Sequence, residues 1–96
     1  MSTNNPLVEQ YELIKEIQFV FDNIEPPIKG KILKVITGPN AKYMWTTNYY
    51  CKKADEASVY IPGGPFGNTL EETELKLSQY VKRFEMAVEW RINEYY

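Results

Sequence analysis

Three clusters of proline and glycine divide the chain into segments, and this division constrains the possible folds more than any other feature of the sequence. The clusters are residues 25–27 (EPP), 38–40 (GPN) and 62–68 (PGGPFGN). Proline cannot continue the hydrogen bonding of a helix or a central strand, and glycine and asparagine favour turns. Each regular element is therefore expected to lie within one of the segments between these breaks.

The first segment predicts an amphipathic helix. In residues 7–24 the apolar side chains recur at helical spacing, and at about 100° per residue they fall on one side: Leu13, Ile14, Ile17, Val20, Phe21 and Ile24. Asn5 and Pro6 resemble a helix start, since proline is favoured in the first turn, and EPP ends the helix. Phe19 falls on the opposite side.

The middle of the chain predicts a three-stranded antiparallel meander. Its strands are GKILKVIT (30–37), KYMWTTNYYC (42–51) and SVYIP (58–62), which are rich in β-branched and aromatic residues. Successive side chains of a strand point to opposite faces. In the second strand, one face carries Tyr43, Trp45, Thr47, Tyr49 and Cys51, and the other carries Met44, Thr46, Asn48 and Tyr50. Which face is buried stays open.

The last segment predicts one long helix. Thr69 and Glu72 have the spacing of a capping box, which indicates a helix start, and the helix is expected to run to Tyr96. Its core-facing stripe is Leu70, Leu77, Val81, Phe84, Val88, Ile92 and Tyr95, with Leu75, Met86 and Trp90 opposite. The resulting fold class is α+β in two layers: a helix, a three-stranded antiparallel meander and a long C-terminal helix. Residues 1–96 are expected to form a single domain with residues 1–5 frayed.

Composition excludes several classes of function. The 96 residues carry a formal net charge of −2, and the 11 lysines and arginines are scattered, so no basic stripe is available for duplex nucleic acid. No apolar run approaches the roughly 20 residues that a membrane span requires. The chain has one cysteine and begins without a recognisable signal segment. We therefore expect a cytoplasmic protein that does not bind membranes.

The side chains needed for common catalytic sites are missing. Histidine is absent and Cys51 is the only cysteine, so histidine-based triads and zinc sites are excluded within one chain. Lys52 and Lys53 follow Cys51, and nearby ammonium groups favour a thiolate. Without a histidine base we interpret Cys51 as a structural residue. The sequence therefore predicts no enzyme activity, no metal and no cofactor.

Two regions are candidates for binding. The aromatic strand and the glycine-rich loop form a candidate surface for a ligand or a partner, made of Tyr43, Trp45, Tyr49, Gly63, Gly64 and Phe66. Phosphate groups of a ligand could be met by Lys42, Lys52, Lys53 or Arg91. The apolar residues outside the core-facing stripes predict self-association, since exposed apolar patches usually mark association sites: Phe19, Leu75, Met86 and Trp90.

Two functional hypotheses follow. The first is a non-catalytic cytoplasmic binding protein that forms a homo-oligomer, with a dimer favoured, and engages a larger protein as an inhibitor, immunity factor or adaptor does. The alternative is an oligomeric small-molecule binder that sequesters a nucleotide-like ligand. Aromatic stacking and the glycine-rich loop would hold that ligand.

Overall fold

A computed structural model of the chain describes residues 4–37 and 42–96. This part of the chain is α+β and consists mostly of strands, with one α-helix. The elements are β1 (Tyr11–Phe19), β2 (Ile28–Val35), β3 (Tyr43–Thr47), β4 (Tyr49–Lys53), β5 (Phe66–Gly67), α1 (Leu70–Lys82), a 3₁₀ helix (Arg83–Met86) and β6 (Ala87–Ile92). The predicted arrangement of two helices around a three-stranded meander is wrong. The predicted GPN turn lies outside the described residues.

The strands form two antiparallel sheets. The larger has the order β1-β2-β3-β5, and the smaller consists of β4 and β6. In the larger sheet, Ile32 of β2 pairs with Trp45 of β3 and with Lys15 of β1. Helix α1 covers the face to which these residues belong, and Lys15 makes an ion pair with Glu74 of the helix. The opposite face of this sheet has no helix over it in the described structure.

The predicted N-terminal helix is wrong, because half of its residues form β1 and none of the described ones is helical. The strand contains a bulge: Leu13 pairs with Leu33 and Lys15 pairs with Ile32, so Ile14 is an additional residue. A bulge interrupts strict alternation. The bulge accommodates two adjacent apolar residues, Leu13 and Ile14, which lie four and three residues before Ile17. The same spacing is typical of one side of a helix.

The predicted long C-terminal helix is also wrong beyond its first half. Helix α1 ends at Lys82, and residues Ala87–Ile92 form β6. Val88 and Ile92 fit helical spacing, but Val88, Trp90 and Ile92 also fit strand alternation, so the pattern alone could not separate the two structures. Pairing decides the outcome, since β6 supplies the hydrogen-bonding partner of β4.

The predicted second strand is two strands that belong to different sheets. They are separated at Asn48, whose N–H donates to the Lys29 carbonyl and whose carbonyl accepts from the Asn93 N–H. The Asn48 side chain bonds the Lys29 N–H and the Pro27 carbonyl. Asn48 thus binds the start of β2 on one side and the end of β6 on the other. The predicted third strand is reduced to a single bridge between Cys51 and Tyr60.

The core lies between α1 and the covered face of the larger sheet. It contains Ile24, Ile28, Ile32, Trp45, Cys51, Leu77, Tyr80, Val81 and Phe84. Trp45, Thr47 and Cys51 are buried, which answers the question of which face of the aromatic segment points inward. Gly30 lets the helix approach β2, because a Cβ there would lie 2.8 Å from Leu77 Cδ1.

Candidate functional site

A cavity of about 300 Å³ opens between α1 and residues 60–64. This volume lies at the lower end of the roughly 300–1,000 Å³ that is typical of small-molecule pockets. The lining residues are Trp45, Tyr60, Pro62, Gly63, Gly64, Lys76, Gln79, Tyr80 and Arg83. The cavity therefore combines three aromatic residues with two cationic ones.

One side of α1, together with the first residue of the 3₁₀ helix, supplies the charged wall of the cavity. Lys76, Tyr80 and Arg83 are four and three residues apart, and this spacing brings side chains to the same side of a helix. The helix begins at Thr69, whose Oγ1 accepts from the Glu72 N–H at 3.1 Å, so the predicted N-cap is confirmed. Glu72 reaches back to the N–H of Asn68 at 3.0 Å. This cap fixes where the helix starts and thereby which residues face the cavity.

Trp45 is an aromatic wall residue with an unusual feature. It is only 5% exposed and packs against Tyr80, with ring centroids 5.5 Å apart. Its Nε1–H is buried and has no hydrogen-bond partner among the described residues. An unpaired buried donor costs about 1–3 kcal/mol. Trp45 therefore lines the cavity while its own donor stays enclosed.

Arg83 carries a second unused donor. One of its terminal nitrogens donates to both oxygens of Glu56, at 2.7 and 2.8 Å. The guanidinium lies 4.7 Å from the centroid of the Tyr60 ring, within the range of a cation–π contact. Its Nε is buried and has no partner within the described part of the chain. Burial alone would lower the pKa of Arg83, but the bonds to Glu56 outweigh it and the pKa is raised.

Tyr80 and Cys51 keep their protons beside this cavity. The Tyr80 hydroxyl donates to the Tyr60 carbonyl and accepts from the Cys51 N–H at 3.3 Å. Burial raises the pKa of Tyr80 well above its ordinary value. Burial also raises the pKa of the Cys51 thiol, against the opposing effect of Arg83. Neither group is poised to act as a base near neutral pH.

The glycine-rich loop forms an open rim. A Cβ at Gly63 or at Gly64 would meet no atom within 4 Å. Lys76 lies on the other side and donates to the Phe66 carbonyl at 2.7 Å, with Glu72 Oε1 3.4 Å from its Nζ. A ligand could therefore approach the loop backbone closely without displacing a side chain there.

The structure brings together some of the residues that the sequence singled out. Trp45, Gly63 and Gly64 line the same cavity. Tyr43 and Tyr49 are half-buried against the core, outside this cavity. Phe66 is exposed on β5.

The lysines and the arginine predicted to meet phosphates do not line this cavity. Lys42 is exposed before β3, and Lys52 and Lys53 are half-buried on β4. Arg91 is exposed on β6 and lines a different cavity, of about 570 Å³, together with Tyr50 and Tyr95.

The predicted self-association residues do not share a helix face. Leu75 is exposed on α1, Met86 is exposed in the 3₁₀ helix, and Trp90 is half-buried on β6. Phe19 and Trp90 both pack against the core. The long helix that was expected to carry them on one side is wrong, because α1 ends before Met86. Self-association through these residues stays a prediction.

Sequence reasoning missed most of the cavity wall. The missed residues are Tyr60, Pro62, Lys76, Gln79, Tyr80 and Arg83, and the supporting Glu56. The spacing of Lys76, Tyr80 and Arg83 on one helix was the available signal. Glu56 and Tyr60 reach the site through a loop, and nothing in the local pattern indicates that.

Comparison of the chain with protein-family models, with curated proteins and with solved structures gives no match. Among residues 4–37 and 42–96, no helix has both the length and the apolar character needed to cross a bilayer. The same residues contain no group of three or more cysteine, aspartate or glutamate side chains arranged to hold a metal ion.

Proposed function

We propose that the protein binds a small ligand that has a planar ring and a negatively charged group, as a nucleotide does, and that it sequesters this ligand without altering it. The observation that carries the proposal is a single cavity that combines three aromatic rings with two cationic side chains and has no acidic lining residue. The rings offer surface for stacking, and the cations offer partners for an anion.

The aromatic lining supports a ligand with a planar ring. Trp45, Tyr60 and Tyr80 contribute ring surface to the cavity, and stacking of a base on an aromatic side chain contributes about 1–3 kcal/mol. A mononucleotide or a molecule of similar size suits a cavity of about 300 Å³. A polymer would need a longer groove.

The charges support an anion. Lys76 and Arg83 line the cavity, and no lining residue is acidic. Glu56 and Glu72 partly neutralise these cations, so the site suits a ligand with one or two negative charges better than a polyphosphate. Guanidinium and ammonium groups are the common partners of phosphate and carboxylate.

Retention of the ligand fits the chemistry of the site better than turnover. Tyr80 and Cys51 are protonated near neutral pH, because burial raises the pKa of each. A base with a pKa near the working pH is what acid–base catalysis needs. We place this function in the cytoplasm, in keeping with the unpaired Cys51.

The experiment is a fluorescence titration with Trp90→Phe, which leaves Trp45 as the only emitting indole. The probes are adenosine 5′-monophosphate and guanosine 5′-monophosphate, each compared with its nucleoside. We expect a monophosphate to change Trp45 emission with a Kd below about 1 mM, and the nucleosides to bind at least tenfold more weakly. Equal binding of nucleoside and nucleotide would contradict the requirement for an anion.

Two variants test the location of the site. Lys76→Gln should weaken nucleotide binding at least threefold, whereas Lys82→Gln, an exposed lysine on the same helix outside the cavity, should leave binding unchanged. Gly64→Leu should obstruct the cavity without unfolding the protein, since Gly64 lines the cavity and a Cβ there would meet no atom within 4 Å. Unchanged binding by Gly64→Leu would rule out this cavity.

A second function, engagement of another polypeptide, is supported by a different observation. The face of the larger sheet that α1 leaves uncovered carries exposed apolar side chains, including Leu13 and Phe66. The ligand cavity lies on the α1 side of the molecule. The two functions can therefore be separated by substitutions on opposite faces.

A further inference from the structure

A continuous apolar row crosses the uncovered face of the larger sheet. Leu13 pairs with Leu33, Leu33 with Met44, and Met44 with Phe66, so one side chain from each of the four strands lies in the row. Directly opposed residues of neighbouring antiparallel strands point to the same face. Their neighbours Ile32 and Trp45 point to α1, so this row points away from it.

A second row extends the apolar surface. Tyr11 pairs with Val35, two residues along from the first row on β1 and β2. Three of the six side chains in the two rows remain substantially exposed: Leu13 at 57%, Phe66 at 44% and Tyr11 at 42%. We call these six residues the apolar face: Tyr11, Leu13, Leu33, Val35, Met44 and Phe66.

The next row of the same sheet face is polar and is contacted by Tyr96. Glu16 pairs with Lys31 in this row. The Tyr96 hydroxyl donates to Glu16 at 2.6 Å, and the Lys31 ammonium bonds the Tyr96 carbonyl and lies 4.3 Å from the centroid of its ring. Tyr96 thus contacts the polar row and leaves the apolar face open.

We propose that the apolar face binds a second copy of this chain, in a symmetric dimer with the two sheets packed face to face. Two-fold dimers are the commonest homo-oligomers, and their interfaces are self-complementary. Aligned sheets pack about 10 Å apart with interdigitated side chains. The two-fold axis would run parallel to the strands, midway between the two sheets and over β2. It then places β1 of one copy over β3 of the other, so Leu13 meets Met44 of the second copy.

The charges at the rim favour a second copy over an unrelated partner. Glu9 lies at the β1 side, where its carboxylate accepts from the Tyr11 hydroxyl at 2.8 Å. Lys42 lies at the β3 side of the same end and is exposed, and its carbonyl accepts from the Val35 N–H at 3.0 Å. The same two-fold axis brings Glu9 of each copy towards Lys42 of the other.

The size of the face predicts a weak dimer. An apolar patch of six side chains is on the order of a few hundred Å² per copy. Two such patches with their polar rims reach roughly the 1,000 Å² at which specific interfaces begin. We therefore expect dissociation in the micromolar range.

The test is sedimentation equilibrium of the full chain between about 1 and 200 µM, a range that brackets a micromolar Kd. The matched variants are Leu13→Lys on the apolar face and Leu75→Lys on α1, because these leucines are 57% and 58% exposed. We expect a monomer–dimer equilibrium for the wild type and for Leu75→Lys, and at least a tenfold weaker association for Leu13→Lys. Phe66→Lys is the second variant if circular dichroism shows that Leu13→Lys is unfolded.

Charge reversal tests the orientation. Glu9→Lys and Lys42→Glu should each weaken the dimer at least threefold, and the double variant should restore it. A wild-type chain that stays monomeric at the highest concentration overturns the proposal, whether or not another protein binds this face. Loss of the dimer in Leu75→Lys but not in Leu13→Lys overturns it as well. Nucleotide binding by Leu13→Lys should be unchanged, since the cavity lies on the other side of the sheet.

Discussion

Arg83 connects packing, electrostatics and the cavity through one side chain. It bonds Glu56, lies over the ring of Tyr60 and keeps one donor unused. Glu56 is itself held by the Lys53 N–H at 2.7 Å. Because removing one partner of a half-buried pair leaves the other without compensation, substitutions at Glu56 and at Arg83 are expected to affect both stability and binding.

Glu56 should make stability depend on pH. The bonds from Arg83, and then from the Lys53 N–H, lower the pKa of this carboxyl in the folded protein. The unfolded chain therefore takes up the proton first as the pH falls, so the contribution is complete above the ordinary glutamate range and is lost as the pH passes through the lowered pKa. Glu56→Gln should lower the Tm at pH 7. Between about pH 5 and 3 its Tm should fall less steeply with pH than the Tm of the wild type.

The measurement is thermal unfolding by circular dichroism across this pH range. Glu85→Gln is the control, because Glu85 is exposed in the neighbouring 3₁₀ helix and the described residues show no salt bridge to it. Its pH profile should match that of the wild type. If the Tm of Glu56→Gln fell with pH as steeply as the Tm of the wild type, carboxylates other than Glu56 would cause the acid sensitivity.

At the scale of elements, β5 and α1 meet at Gly67. Of the glycines in the described structure, Gly67 has the least room for a side chain. Gly67 ends β5 and is buried against the first turn of the helix. A Cβ at this position would lie 2.2 Å from Thr73 Oγ1 and 3.1 Å from the Thr73 backbone nitrogen. Thr73 cannot yield easily, since its hydroxyl bonds the Thr69 carbonyl at 2.8 Å. The loop and the helix start therefore form one unit.

Gly67→Ala should destabilise the protein by about 1–3 kcal/mol, the usual cost of inserting atoms into a well-packed region. Gly64→Ala is the matched control from the same loop, because its Cβ would be unobstructed, and its effect should stay within about 0.5 kcal/mol. Urea unfolding measures both. Equal effects of the two substitutions would show that loop entropy, not the contact with Thr73, determines the cost.

At the scale of the whole molecule, two asparagines join the sheets. The chain passes from the larger to the smaller sheet at Asn48, and Asn93, directly after β6, donates its N–H to the Asn48 carbonyl. Asn93 is 5% exposed, and its amide donates to the Thr47 carbonyl at 2.8 Å and to Thr46 Oγ1 at 3.2 Å. These bonds join the residue after β6 of the smaller sheet to the end of β3 in the larger sheet.

Asn93→Ala should destabilise the protein by about 1–3 kcal/mol, because it leaves the Thr47 carbonyl without this donor in a buried position. The urea midpoint should fall while the m-value stays unchanged, as expected when the two sheets still unfold together. Asn68→Ala, at an exposed position, is the control. A lower m-value for Asn93→Ala would mean instead that the β4-β6 sheet unfolds separately.

The ligand cavity could be predicted only in part. The aromatic segment and the glycine-rich loop pointed to Trp45, Gly63 and Gly64, which do line one cavity. Tyr80 and Arg83 belonged to neither of the two apolar sets assigned to the last segment, and no pattern singled out Glu56. Their roles depend on how the loop after β4 folds back onto α1, which involves contacts between residues distant in the sequence.

The sequence by itself determined the features that depend on local chemistry. Thr69 begins α1, the β-branched residues of β2 form a strand, and alternation separates the faces of the aromatic segment. Only the tertiary structure decided the features that depend on pairing: residues Tyr11–Phe19 and Ala87–Ile92 are strands because β2 and β4 offer them backbone partners. The physical reason is that helical and strand spacing overlap in short apolar runs. Hydrogen bonds to another segment then determine which structure forms.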